Sequence, residues 1–134
     1  MDAGGSPPLV LVVDDDDDVR RLFVRALERA GFATWECNGG KEAIKAFRAR
    51  EPVVVLLDSR MPEVDGMAVL GEIRVEASRR AIPIILVTGK GEIVEQVAGL
   101  NAGAADYLVK PVPLLELVAR VRTQLRFQGI AIPQ

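Results

Sequence analysis

The chain contains no histidine, one cysteine and few aromatic residues, and each shortage removes a class of answer. Without histidine the commonest general base and metal ligand is missing, so any chemistry falls to carboxylates, lysine or a metal held by oxygen. The single thiol, Cys37, can form neither an intramolecular disulfide nor a cysteine metal cluster. With aromatics at 4 % and hydrophobic residues at 49 %, the core must be built from Val, Leu, Ile and Ala. Long apolar runs are also missing, since Leu9 to Val13 and Val53 to Leu57 have the length of strands and not of a membrane span. Seventeen Lys and Arg against 19 Asp and Glu leave a net charge of −2, which gives no electrostatic footprint for nucleic acid or an anionic membrane.

What is present reads as one α/β domain, as the length of 134 residues allows. The N-terminus carries an acid and turn-forming residues where a signal peptide needs a basic and then an apolar stretch, so residues 1–8 read as a disordered leader and a cytoplasmic setting fits. Leu9 to Val13 is apolar without alternation, the pattern of a strand buried on both faces. Val19, Leu22, Phe23, Ala26, Leu27 and Ala30 then recur at helical spacing, with Arg20, Arg21, Arg25 and Glu28 on the polar side and Gly31 as a stop. Ala33 to Cys37 is a weaker strand, expected at a sheet edge, and a helix burying Ala43, Ile44 and Phe47 follows.

Val53 to Leu57 is the best candidate for the sheet centre. Asp65-Gly66 reads as the cap of a helix carrying Val69, Leu70 and Ile73. Ile82 to Val87 is a further strand, and Ile93, Val94, Val97 and Leu100 mark the next helix. Tyr107 to Val109 is a short strand before a last helix with Leu114, Leu117, Val118, Val121 and Leu125 on its apolar side. Residues 128–134 read as a tail or linker stub. Five alternations of strand and helix with short connections predict a doubly wound parallel sheet, covered on both faces through right-handed crossovers.

Parallel strands that end together gather their terminal residues in one crevice, which here collects Asp14, Asp15, Asp58, Thr88 and Lys110. Three carboxylates a few ångströms apart repel unless a cation relieves them or their pKa values rise. With oxygen ligands only, Mg²⁺ is the best candidate, and a metal of that kind points to phosphate. Lys110 supplies a point charge for a phosphoryl oxygen, Thr88 a hydroxyl donor, and Asp58 in the central strand the nucleophile.

The segments VVDDD, LLDSRMPEVDG, ILVTG and AADYLVKP, spread over residues 9–127, resemble the motifs of response-regulator receiver domains of two-component signalling. The resemblance implies a flavodoxin-like (βα)5 fold with strand order 2-1-3-4-5, a regulatory domain and not an enzyme. It implies that Asp58 is phosphorylated, that Asp15 binds Mg²⁺ directly and Asp14 mostly through water, and that the Arg60 carbonyl completes the protein ligands. Thr88 and Lys110 would hold the phosphoryl group, Thr88 would move toward it and Tyr107 would rotate inward. That motion would alter the face made by the fourth helix, fifth strand and fifth helix. A cis bond between Lys110 and Pro111 is implied as well. The expected donor is a sensor histidine kinase or a histidine phosphotransfer protein, and a homodimer through the last helices stays open.

Plainer readings apply to several residues. Asp16 to Asp18 read as a solvated helix start, Trp35 and Cys37 as packing residues, and Arg120, Arg122 and Arg126 as complements to a helix C-terminus. Arg60 and Lys90, each two residues after a site residue, would slow loss of a phosphoryl group if they screened it from water. A Mg²⁺-dependent phosphohydrolase of the haloacid-dehalogenase kind is the alternative, but there the nucleophilic Asp comes first with a second Asp two residues on, where this chain has Arg60. A flavin binder of the flavodoxin kind lacks its Ser/Thr-rich phosphate loop.

Overall fold

The structure, a computed structural model, describes residues 6–89 and 93–133. Strand and helix alternate as β1 (Leu9–Val13), α1 (Asp17–Arg29), β2 (Ala33–Cys37), α2 (Gly40–Ala49), β3 (Val54–Asp58), α3 (Gly66–Arg79), β4 (Ile84–Thr88), α4 (Ile93–Asn101), β5 (Asp106–Val109) and α5 (Leu114–Gln128). Neighbouring strands pair in parallel in the order β2-β1-β3-β4-β5, which is the flavodoxin-like arrangement.

Alternation along each buried strand divides the interior into two cores. Val10, Val12, Val54, Leu56, Ile85 and Val87 face α1 and α5, where Phe23, Leu27, Leu117, Val121 and Leu125 meet them. Leu11, Val13, Val55, Leu57, Ile84 and Leu86 face the other way, toward Phe47 of α2 and Val69, Leu70 and Ile73 of α3. Burying each such Val, Leu or Ile contributes about 1.5–3 kcal/mol, so the apolar strands hold the sheet and the helices to one another. Every residue of the central strand β3 is buried, and the partly exposed strands β2 and β5 are at the edges.

Helix starts follow local chemistry. Asp16 caps α1, its Oδ1 accepting from the backbone N–H of Asp18 at 3.0 Å and of Val19 at 3.1 Å. Asp65 caps α3 by accepting from the Ala68 N–H at 2.9 Å. A Cβ at Gly66 would run into the carbonyl oxygen of Asp58, so glycine there lets α3 begin hard against the end of β3.

Two side chains of α1 depart from the expected faces. Leu22 is 51 % exposed, although α1 itself forms as expected. Arg20, expected among the polar positions, is buried, because it lies on the same helical stripe as Phe23, Val24 and Leu27. On α4, Val97 and Leu100 are 54 % and 42 % exposed, while Gln96 and Gly99 turn inward. Arg120 does not serve a helix end: it pairs with Asp106 of β5 at 3.0 Å and with Glu116 at 3.4 Å.

At the C-terminus α5 runs through Gln128, and Ile130 and Ile132 pack partly buried against the α1–α5 core. At the N-terminus the Pro8 carbonyl accepts from the Ala33 N–H at 2.9 Å. Residues 1–5 of the expected leader, and Gln134, lie outside the described residues. Trp35 is half-buried with the Arg50 guanidinium 3.9 Å above its ring, and Cys37 is buried in the α2–α3 core, where burial pushes its thiol up to about 11. No helix among the described residues is long and apolar enough to cross a membrane.

Candidate functional site

The chain leaves β1 toward β2 on one side of the sheet, while β3 lies on the other side of β1, so the strand order reverses between β1 and β3. In open α/β sheets that reversal opens a crevice beyond the carboxyl ends of the strands. Asp14 stands immediately after β1, and Asp58 is the last residue of β3, paired in register with Val87 of β4. Thr88 ends β4 opposite Val109, and Lys110 follows directly after β5. The strand lengths thus bring all four to one rim.

Lys110 is the hub of this rim. Its Nζ lies 3.1 Å from Asp14 Oδ2 and 3.4 Å from Asp58 Oδ2. Asp14 and Asp58 are buried and Asp15 is exposed, and their nearest carboxylate oxygens all lie within 4.8 Å of one another. The other oxygen of each buried acid is held by the main chain: Asp14 Oδ1 accepts from the Asp16 N–H at 2.9 Å, and Asp58 Oδ1 from the Arg60 N–H at 3.2 Å. Asp14 Oδ2 faces the lysine charge but receives no directed hydrogen bond.

These contacts set the titration of the site. Burial, followed by the neighbouring Asp14 charge, pushes the Asp58 carboxyl up to about 7, and Lys110 and the Arg60 N–H only partly oppose this. Burial also works against the Lys110 ammonium, but the Asp14 and Asp58 carboxylates overcome it, and its pKa stands above the ordinary lysine value. The three acids outnumber the one lysine, and the oxygen donors are hard. With a buried carboxylate oxygen lacking a directed hydrogen bond, they suit a small divalent cation such as Mg²⁺.

Thr88 is fully buried, and its hydroxyl lies 3.4 Å from the Leu108 carbonyl and 3.4 Å from the Gln96 amide nitrogen. Tyr107 is half-buried against the α2–α3 core, and its N–H donates to Asp106 Oδ1 at 2.8 Å. The Lys110–Pro111 bond is cis. Arg60 is exposed at the mouth of a groove of about 540 Å³ that Ser59, Met61 and Met67 also line. Lys90, named with Arg60 as a screen, lies outside the described residues.

One supporting residue escaped the sequence reading. The Arg20 guanidinium donates to the Asp14 carbonyl at 2.8 Å, to Asp17 at 2.7 Å and to Glu36 at 2.9 Å. It therefore fixes the peptide that carries the acid pair and ties it to edge strand β2. Asp17, read as merely solvated, is one of its partners. The signal was available in the spacing, since position 20 falls three, four and seven residues before buried positions 23, 24 and 27.

Fold and rim together define a doubly wound α/β domain whose switch-point crevice gathers three carboxylates and a lysine. Residues 10–122 match the response regulator receiver domain, and the chain belongs to that family. It is 42 % identical over 129 residues to the transcriptional regulatory protein PrrA of Mycobacterium tuberculosis, covering 96 % of this chain and 54 % of PrrA. The structure superposes on the receiver domain of Francisella response regulator 1452 with a TM-score of 0.83 at 30 % identity, covering 90 % of this chain and 98 % of that one. It is also similar to a CheY-like receiver domain protein of Methanospirillum hungatei JF-1, with a TM-score of 0.85 at 27 % identity over 92 % and 98 % of the two chains. The chain spans about half the length of the curated relatives it matches. It is a regulatory domain of the kind used in two-component signalling.

Proposed function

We propose that the chain is a phosphorylation switch that takes a phosphoryl group onto Asp58 from a phosphohistidine of another protein. The observation that carries this reading is the placement of Lys110 between Asp14 and Asp58 at the point where strand order reverses. These 134 residues hold no histidine, so the donor imidazole lies outside them, and in this reading a sensor histidine kinase or a histidine phosphotransfer protein supplies it.

In the transfer an Asp58 carboxylate oxygen forms the new bond to phosphorus while the bond from phosphorus to the donor imidazole breaks. The Arg60 N–H holds Asp58 Oδ1, and Lys110 lies by Oδ2, where it can neutralise charge on the phosphoryl oxygens. Asp14, Asp15, Asp58 and the Arg60 carbonyl would hold Mg²⁺, which when bound supplies charge neutralisation at the phosphoryl oxygens and keeps Asp58 ionised near neutral pH. Thr88 would supply a hydroxyl to the phosphoryl group, with Tyr107 turning inward behind it.

The output surface in this reading is α4, β5 and α5, where Val97, Leu100 and Val109 are exposed beside the Arg120–Asp106 pair. A shift of this face would control a partner or effector, or a second copy of the chain. On the opposite side of α5, Arg25, Arg29 and Arg122 ring an apolar groove of about 440 Å³ with Leu22, Leu114 and Leu115, which supports docking of the donor between α1 and α5. A cytoplasmic setting agrees with the reduced, buried Cys37.

Incubation with Mg²⁺ and acetyl phosphate followed by intact-mass measurement tests the reading. A single phosphoryl gain that disappears in Asp58→Asn is expected. Rapid multiple turnover of a phosphate ester would point instead to the phosphohydrolase alternative.

A further inference from the structure

Thr88 presents its hydroxyl to two partners at once. It donates to the Leu108 carbonyl at 3.4 Å and accepts from the side-chain amide of Gln96 at 3.4 Å. A hydroxyl has one proton, so while that proton serves Leu108 none is available for an oxygen at the rim. Gln96 is a buried polar residue on α4, the helix next to the end of β4. The other α4 residue turned inward between 96 and 101 is Gly99, seated so close to β4 that a Cβ would run into Leu86. Among the described side chains, the amide of Gln96 is therefore the polar tie between α4 and the strand-end residue expected to respond to phosphate.

We infer that Gln96 is a positioning residue, which latches Thr88 in its resting direction and couples release of that hydroxyl to α4. The inference rests on the phosphoacceptor reading above and adds to it a residue and a physical cost. When Thr88 turns toward a phosphoryl group on Asp58, the buried Gln96 amide loses its acceptor. A buried donor without a partner is unfavourable, so the resting state is weighted and the phosphoryl group must offset that weight. The same loss lets α4 move to find Gln96 a new partner. A tie of this kind makes the domain less responsive at rest and transmits the event at Thr88 to the exposed Val97 and Leu100 on the outer side of the helix.

The test uses beryllofluoride, which mimics a phosphoryl group on an aspartate, titrated in the presence of Mg²⁺. Gln96→Leu keeps the volume and removes the amide, and Gln96→Met serves the same purpose if the first variant fails to fold. Affinity for beryllofluoride should rise three- to tenfold, as expected for the loss of about one neutral hydrogen bond that favours the resting state. Affinity for Mg²⁺ alone should be unchanged. In the Thr88→Val background, where the hydroxyl is absent, Gln96→Leu should leave beryllofluoride affinity where it was. Unchanged or weaker affinity in the folded Gln96 variants overturns the latch, as does an equal gain that persists in the Thr88→Val background. If the unaltered protein binds no beryllofluoride, the phosphoacceptor reading itself fails and the latch falls with it.

Discussion

α4 and α5 flank the same edge strand, β5, yet their described side chains meet the sheet in different ways. α5 buries Leu117, Val118, Val121 and Leu125 against the sheet. Among the α4 residues whose side chains are described, the inward positions are Gln96 and Gly99, and the large apolar residues Val97 and Leu100 face out. Apolar burial is the chief attachment of a helix to a sheet, so α5 is anchored along its length, while the described side chains of α4 meet the sheet through the close approach of Gly99 and the polar contact of Gln96. A segment held by polar contact and close backbone approach is cheaper to move than one held by apolar burial, and Gln96 of this segment contacts Thr88. In the proposed switch this contrast places the moving part in residues 96–101 of α4 and the fixed frame in α5.

Truncation tests this contrast with the largest expected effect. Leu117→Ala should cost about 2–5 kcal/mol in urea unfolding, the range for a fully buried leucine, whereas Leu100→Ala should stay within about 0.5 kcal/mol. Comparable losses at the two positions would erase the distinction.

The next effect concerns the rim that both helices border. Asp58 has a native pKa of about 7 against an ordinary 3.8, so the native state holds this proton more tightly than the unfolded chain does. Its contribution to stability is therefore full below about pH 4 and is lost as pH rises through about 7. Without added metal, Asp58→Asn should be more stable than the unaltered protein at pH 8 by about 1–2 kcal/mol, water at the open rim screening part of the full effect. The difference should vanish near pH 4, and thermal melts across that range read it directly. Equal melting curves at pH 8 would show that the acid cluster carries no strain.

Metal addition follows from the same charges. Mg²⁺ should raise the melting temperature of the unaltered protein more at pH 8 than at pH 6, because binding competes with the Asp58 proton. Asp15→Asn should reduce that rise while barely changing the metal-free melt, since Asp15 is exposed. A rise independent of pH would place the cation elsewhere.

The smallest expected effect separates the two helix faces around α5. Leu115→Gln changes an 88 % exposed leucine in the α1–α5 groove and should leave stability within about 0.5 kcal/mol, while slowing phosphoryl transfer from a donor kinase. Transfer from acetyl phosphate, which needs no docking, should be unaffected. Equal slowing with both donors would argue against the groove as the docking surface.

The sequence was most legible where one chemical signal sufficed. Unbroken apolar runs marked β1, β3 and β4 because a strand buried on both faces leaves no polar position, and the residues that stopped those runs became the rim. Asp65 declared its helix because a short acceptor before a glycine has one ready use, and Asp16 proved to be the cap within an acidic run read only as a helix start. The faces of α1 and α4 were less legible. Periodicity shows that a stripe exists but not which stripe meets the sheet, so Val97 and Leu100 marked a helix without showing that they face outward. Arg20 was hidden by its charge, for its burial depends on Glu36, which only the pairing of β1 with β2 brings near. Gln96 carried no signal of its own, because its partner Thr88 is eight residues away in the sequence and ends a different element.

The most direct measurement is amide hydrogen exchange of the Mg²⁺-loaded protein before and after phosphorylation by acetyl phosphate. The account predicts that amides of residues 96–101 in α4 change their exchange while those of residues 117–125 in α5 do not, and that Asp58→Asn abolishes the change. Equal change in both helices, or change in α5 alone, would contradict it.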